Sequence, residues 1–234
     1  MNIVILTGAG ISAESGIQTF RASDGLWEEH RIEDVATPEG FHKDPKLVHQ
    51  FYNARRAQLK HSDIKPNQAH LALAELAQLK HVKVTLVTQN VDNLHERGGS
   101  EDVIHMHGEL IKAFCHFCGH LFETTNNLTF DQTCQHCKRK FGIRPDIVWF
   151  GEMPKFMQQI ESALYQADIF VAIGTSGQVY PAAGFVDLAN QFGAKTVEIN
   201  LEPSGSNHLF QQSYIGPASE QVPLFVDDIK RQIN

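Results

Sequence analysis

Residues 2–17 read NIVILTGAGISAESGI: a short β-branched run, a turn at Gly8, then small residues able to open a helix. Working outward from this strand, glycine turn and helix, the same pairing returns. PNQAHLALAELAQLK (66–80) places apolar residues at helical spacing behind Asn67, a natural N-cap, and VKVTLVT (82–88) follows as a buried strand. VDNLHERGG (91–99) predicts a short helix ending on Gly98 and Gly99, and DVIHM (102–106) another strand. PKFMQQIESALYQA (154–167), DIFVAIG (168–174), PAAGFVDLANQFG (181–193) and KTVEIN (195–200) then alternate helix and strand, and PLFVDDIKRQI (223–233) closes as a helix. Residues 24–65 are mixed, punctuated by Pro38, Gly40 and Pro45, with a single helix expected over about 45–59.

This alternation predicts an α/β chain: a doubly wound, mostly parallel, Rossmann-like sheet covered on both faces. Gly8 and Gly10, then Gln89, Asn90 and Asp92, then His107, then Gly174, Thr175 and Ser176, then Asn200 each follow a predicted strand. Ligands of open α/β sheets bind outside the carboxyl ends of the strands, so these five exits should converge on one crevice.

The 234 residues allow one large domain or a domain with an insert, and 42% apolar against 20% charged residues suits an ordinary core. A formal charge of −7 repels phosphate backbones and anionic lipid at long range, so neither nucleic acid nor membrane is an expected partner. The longest apolar runs fall far below the roughly 18 residues that span a bilayer, and no signal-peptide pattern follows Met1. The expected address is cytoplasmic.

Gly8, Gly10 and Ala13 fit the relaxed dinucleotide pattern G-x-G-x-x-A. The glycines would let the backbone approach a pyrophosphate, while the helix offers unpaired N–H groups and its positive dipole end. A hydride-transferring dehydrogenase needs a second strand with an acidic residue about 20 positions on. GLWEEHRIED (25–34) has acids but no strand pattern, so that chemistry loses its second support.

Cys115, Cys118, Cys134 and Cys137 make C-x-x-C, fifteen residues, C-x-x-C. Two thiolate knuckles at this spacing wrap a tetrahedral Zn(II) and leave no position for water, which predicts a structural metal. Disulfides are the competing reading, disfavoured in a reducing compartment; His116, His120 and His136 are nearby substitutes as ligands. The expected organisation is a sheet domain over 1–25, 66–111 and 144–234, a helical insert at 26–65 and a small zinc-binding module at 112–143.

Taken in order, GAGISAESGIQTFR, TQNVDNLH, HMHG, the paired knuckles, FGE, GTS and IN resemble the sirtuins, the NAD-dependent protein-lysine deacylases. The resemblance covers roughly residues 2–223 and is nearest to bacterial deacylases similar to vertebrate desuccinylases. It implies that nicotinamide is expelled from NAD and that the acyl-lysine oxygen attacks the ribose; no hydride moves. It puts His107 in the general-base role, for which an imidazole with an ordinary pKa near 6.5 is suited. Among thirteen histidines His105 is the direct competitor, since on an alternating strand the two would share a face. The resemblance further implies that Asn90 and Asp92 hold the nicotinamide amide and ribose, and that Ala9, Ser12, Phe20, Arg21 and Gln89 line the NAD site. Gly174, Thr175 and Ser176 would give a second phosphate and ribose contact and Asn200 the adenosine ribose contact; Asn90 as a strand end and Asp92 as a helix cap is the plainer alternative.

Tyr52 and Arg55, three apart on the insert helix, share a face and offer a phenol and a guanidinium fork to a carboxylate. In the resembling subgroup this Tyr-x-x-Arg pair reads succinyl-, malonyl- or glutaryl-lysine; Arg56 is its decoy. The acylated protein would bind as an extended strand between 147–152, with Val148 and Trp149, and the stretch after Gly177. Protein mono-ADP-ribosyl transfer and a non-enzymatic zinc ribbon are the rival functions.

Overall fold

A computed structural model describes residues 1–18, 26, 27 and 29–233. From the N-terminus, β1 (Asn2–Thr7) turns into α1 (Gly10–Ala13), and a hairpin of β2 (Leu26–Trp27) and β3 (His30–Arg31) leads to α2 (Ile32–Val35), α3 (Pro38–Lys43) and α4 (Pro45–Gln58). Next come α5 (Gln68–Ala77), β4 (Lys83–Thr88), α6 (Leu94–Arg97), β5 (Ile104–His105), β6 (Gly108–Cys115), β7 (Leu121–Glu123) and β8 (Ile143–Ile147). The chain ends through α7 (Met157–Tyr165), β9 (Ile169–Ile173), α8 (Phe185–Gln191), β10 (Lys195–Asn200), β11 (Gln212–Ile215) and α9 (Ala218–Ile233).

The main sheet has the order β11-β10-β9-β1-β4-β5 and every pairing in it is parallel. Both faces are covered, and the pleat divides each strand between two cores: Ile3 and Ile5 pack with α5 and α9, whereas Val4 and Leu6 pack with α7 and α8. That is why β1 and β9 read as unbroken apolar runs instead of alternating. A second, three-stranded antiparallel sheet, β7-β6-β8, carries the chain out to the cysteines and back, so its strands run across positions 111 and 143. The insert has its own core around Val48, Phe51, Tyr52 and Trp149.

Four local expectations are corrected. The helix after the glycine turn is a single turn, α1, so it has little dipole to offer. The insert holds three helices where one was predicted: α2 and α3 are too short for an apolar period, and α3 is fixed by the Thr37 hydroxyl accepting from the Gly40 amide. The last helix begins at Ala218, with Pro223 inside it, five residues before the predicted start. The opening of residues 181–193 is a 3-10 turn, Ala182–Gly184, ahead of α8.

Candidate active site

β1 is central, with β4 and β5 stacked to one side and β9, β10 and β11 to the other. The strand order therefore reverses between β1 and β9, and at this switch point the strand exits line a cleft of about 440 Å³. All five strand exits open into it. Gly8, Ala9, Gly10 and Ser12 come from β1, Gln89, Asn90 and Asp92 from β4, and His107 from just beyond β5. Gly174, Thr175 and Ser176 follow β9 and Asn200 ends β10, while Tyr52, Val148 and Trp149 form the opposite wall. Phe20 and Arg21 lie outside the described residues.

The glycine turn is also a packing contact. The Gly8 amide donates to the Ile173 carbonyl at 2.9 Å and the Gly10 amide to that of Gly174 at 2.8 Å. A Cβ at Gly8 would lie 2.7 Å from the Gly174 oxygen, and one at Gly10 would lie 2.7 Å from the Gly174 Cα. Gly174 itself sits at φ +59°. These glycines thus let two strand-exit loops lock together, and their amides are engaged by protein rather than held out to an anion. Across the floor, the Gln89 side chain donates to the Thr175 hydroxyl (3.1 Å) and Asn200 Nδ2 to the Thr175 carbonyl (2.9 Å).

On the β4 side the polar groups form one chain. Asn90 Nδ2 donates to Ser12 Oγ and Ser12 Oγ donates to Asp92 Oδ2, both at 3.1 Å, while the Leu94 amide caps Asp92 Oδ1 at 3.0 Å. Asp92 is both a cleft residue and the support of the next helix. Burial pushes its carboxyl above the ordinary range, partly offset by the Leu94 and Ser12 bonds.

The two histidines do not share a face, contrary to expectation, because β5 ends at His105. His107 Nδ1 lies 3.1 Å from the Gln89 carbonyl and His105 Nδ1 lies 3.2 Å from the Asn90 carbonyl. A carbonyl only accepts, so each Nδ1 carries a proton and the rings clamp successive peptide groups. His105 Nε2 is then spent on Glu96 at 2.6 Å. Burial disfavours its charge, but the Glu96 bond and carboxylate outweigh this and raise its pKa. His107 keeps Nε2 for the cleft, and burial lowers its pKa against a smaller opposing effect of the Gln89 bond. Gly108 makes this placement possible: its φ is +82° and a Cβ there would be 1.9 Å from the Asp146 oxygen.

Tyr52 and Trp149 meet on the opposite wall, where the indole N–H donates to the phenol oxygen at 3.0 Å. Burial raises the Tyr52 pKa, keeping the phenol protonated. The Arg144 guanidinium covers the Trp149 ring at 3.4 Å and is gripped by both Glu152 oxygens, at 2.8 and 2.9 Å. Sequence reasoning missed Arg144 and gave Glu152 only a place in a motif; one lies in β8 and the other in the loop beyond it, eight residues on, so they have no periodic signal. Arg55 is half-buried beside Tyr52, its guanidinium 5.2 Å from the Phe51 ring. Arg56 is structural, donating to the Leu110 carbonyl and to Asn53 Oδ1.

The four cysteine sulfurs lie within 4.8 Å of one another, with Cys115 and Cys137 at 3.7 Å and Cys118 and Cys134 at 3.8 Å. A tetrahedron with Zn–S bonds of about 2.3 Å has edges of about 3.8 Å, so the donor set fits zinc and is too open for disulfides. His120 and His136 stack on each other instead of joining the sulfurs.

A parallel sheet with its cleft at the switch point, a histidine presenting Nε2 to that cleft and a four-cysteine module on an antiparallel extension define a sirtuin, and the chain belongs to the Sir2 family, whose profile matches residues 8–181. Its relatives include an NAD-dependent protein deacylase of Vibrio parahaemolyticus, 60% identical over 97% of this chain and 95% of that protein. An Escherichia coli K12 protein of the same name is 59% identical over 97% of this chain and 81% of its own length. Among solved structures, a Sir2 homolog–NAD complex superposes with a TM-score of 0.89 at 38% identity, covering 100% of this chain and 91% of that one. Sir2Af2 bound to a myristoylated histone peptide gives 0.74 at 30% identity, over 99% and 92%.

Proposed function

We propose that this chain is an NAD-dependent protein-lysine deacylase that removes succinyl, malonyl and acetyl groups, releasing nicotinamide and O-acyl-ADP-ribose. One observation carries the reading: the His107 imidazole and the Asn90–Ser12–Asp92 chain share one cleft with a buried phenol on the facing wall. The relatives named for this activity support it.

NAD, as cosubstrate, supplies an electrophilic ribose carbon once nicotinamide departs. Asn90 and Asp92 hold the nicotinamide end, Asn90 with its Nδ2 already given to Ser12. Gly8, Ala9, Gly10, Ser12 and Gln89 form the floor, with Phe20 and Arg21 assigned to the same site. Gly174, Thr175 and Ser176 receive phosphate and ribose and Asn200 the adenosine ribose. His107 Nε2 withdraws a proton from a ribose hydroxyl, turning that oxygen onto the acyl carbon. Cys115, Cys118, Cys134 and Cys137 hold one structural zinc ion, closed to substrate by its four thiolates.

Acylated proteins enter as extended peptides between 147–152 and the stretch after Gly177. The amides of Val148 and Phe150 already donate to His107 and Ala36, so this edge meets a peptide through its carbonyls and the Val148 side chain. Among the described residues no helix is long and apolar enough to cross a membrane, and unbridged cysteines suit the reducing cytoplasm. In domain terms, 112–143 is the metal module and 26–65 the substrate-reading insert on the remaining sheet domain.

Product analysis tests the reading. Incubation with NAD and an acyl-lysine peptide gives free lysine, nicotinamide and O-acyl-ADP-ribose; ADP-ribosylated protein instead would transfer the site to the rival chemistry. Tyr52 and Arg55 together receive a distal carboxylate. Arg55→Met therefore lowers kcat/KM for succinyl-lysine by roughly tenfold to a hundredfold, the range for a lost charged hydrogen bond, and that for acetyl-lysine far less. Equal losses on both peptides would remove the pair from specificity.

A further inference from the structure

Beneath the cleft floor lies a line of buried polar side chains that the reaction does not use. Thr7 and Thr88 end neighbouring strands and are fully buried, as is His70, and His95 is nearly so. The Thr7 hydroxyl donates to Thr88 Oγ1 at 2.8 Å, and that oxygen also accepts from the Asn90 amide at 3.0 Å. Having donated its proton, Thr7 can only accept from His95 Nε2 at 2.9 Å, so His95 carries its proton on Nε2 and a lone pair on Nδ1.

At the other end, His70 Nδ1 is 3.3 Å from the Asn67 amide and 3.1 Å from Asn67 Oδ1. One nitrogen cannot serve both. The amide can only donate, and the helix capping box pairs it with this ring, so Nδ1 accepts and His70 carries its proton on Nε2. His70 Nε2 and His95 Nδ1 have no hydrogen-bond partner among the described residues, their rings lying 4.9 Å apart without a bond between them. Burial lowers the pKa of His70 to about 4 and that of His95 well below 6.5, so both rings are neutral near pH 7.

We propose that His95 is a positioning residue: a directional relay, His95 to Thr7 to Thr88, that holds the Asn90 backbone in register for nicotinamide binding and departure. It rests on the reading of Asn90 as the nicotinamide contact. Separately, Asn67 Nδ2 donates to the Ile11 carbonyl and to Ser15 Oγ. The relay ties the β4 exit to α6 and to the end of β1, the strand that leads into the turn carrying Ser12.

Three variants with zinc content and circular dichroism as fold controls test this. Thr7→Val, which keeps shape and removes the hydroxyl, and His95→Leu should each raise the nicotinamide inhibition constant and the KM for NAD roughly tenfold, the expected loss for a broken buried bond, with the KM for acyl-peptide within about twofold. His95→Gln, whose amide nitrogen reaches the Nε2 position, should recover most of the loss. Parallel rises for NAD and peptide, or no recovery with Gln, overturn the relay. Asn90→Ala is the reference: if it leaves nicotinamide inhibition unchanged, the Asn90 assignment has failed; if it alone shifts inhibition, only the relay has. Where His95→Leu does not fold, nitrogen-15 histidine spectra of the wild type decide, with the His95 ring expected neutral and protonated on Nε2. An Nδ1-protonated His95 overturns the proposal.

Discussion

His107→Ala is expected to lower kcat by roughly 10²–10⁴-fold, the usual worth of a positioned general base, while zinc content and melting temperature stay near those of the wild type. The side chain lines the cleft and, among the described residues, its hydrogen bond goes to the Gln89 carbonyl alone, so little of the fold depends on it. The wild-type pH profile gives an independent check. Because burial lowers the His107 pKa, the ring takes up its proton only below the ordinary 6.5, and a base is lost when protonated. The kcat/KM for acyl-peptide should hold through neutrality and fall on the acid side with a midpoint below 6.5. A midpoint above 7, or turnover surviving in His107→Ala, would hand the role to another group. His105 is a poor heir: Glu96 raises its pKa and occupies the nitrogen that would have to act.

The second large effect is on the metal module. Its buried cluster consists of Ala113, Cys115, Leu128, Cys134 and Ile143, so two of its five members are zinc ligands and very little apolar surface remains to fold it. Structural zinc in small modules contributes on the order of 10 kcal/mol of folding energy. Cys134→Ser, or stripping the metal with a strong chelator, should open the module and lower the melting temperature markedly. Activity should go with it although no thiolate touches substrate. Asn53 of α4 donates to the Leu128 carbonyl and accepts from the Leu128 amide, both at 2.8 Å, and β8 runs on into Val148 and Trp149. Metal analysis beside a melt and an assay checks the linkage; full activity in zinc-free protein would show that the module is dispensable.

Much of this was legible along the chain because the physics is local. A strand buried on both faces must be apolar throughout, and the residue that ends it must change character, so Thr7–Gly8, Thr88–Gln89 and Ile173–Gly174 mark the cleft in one dimension. Four thiols at zinc spacing are equally local. What stayed hidden depends on distance in sequence. His70 and His95, twenty-five positions apart, become neighbours only when α5 docks beside α6. The different fates of His105 and His107 follow from where β5 stops, which no alternation pattern reports. The packing demand on Gly8 and Gly10 was invisible because the group they must avoid, Gly174, lies more than 160 residues away.

That last contact has a consequence for anyone reshaping the protein. Positions 8, 10 and 174 behave as a single mechanical joint: a methyl added to any one of them has no empty space to enter and must wedge the neighbouring loop aside. The two lips of the nucleotide slot can be redesigned only as a pair, whereas the insert and the peptide edge, which hang on other contacts, are open to alteration one piece at a time.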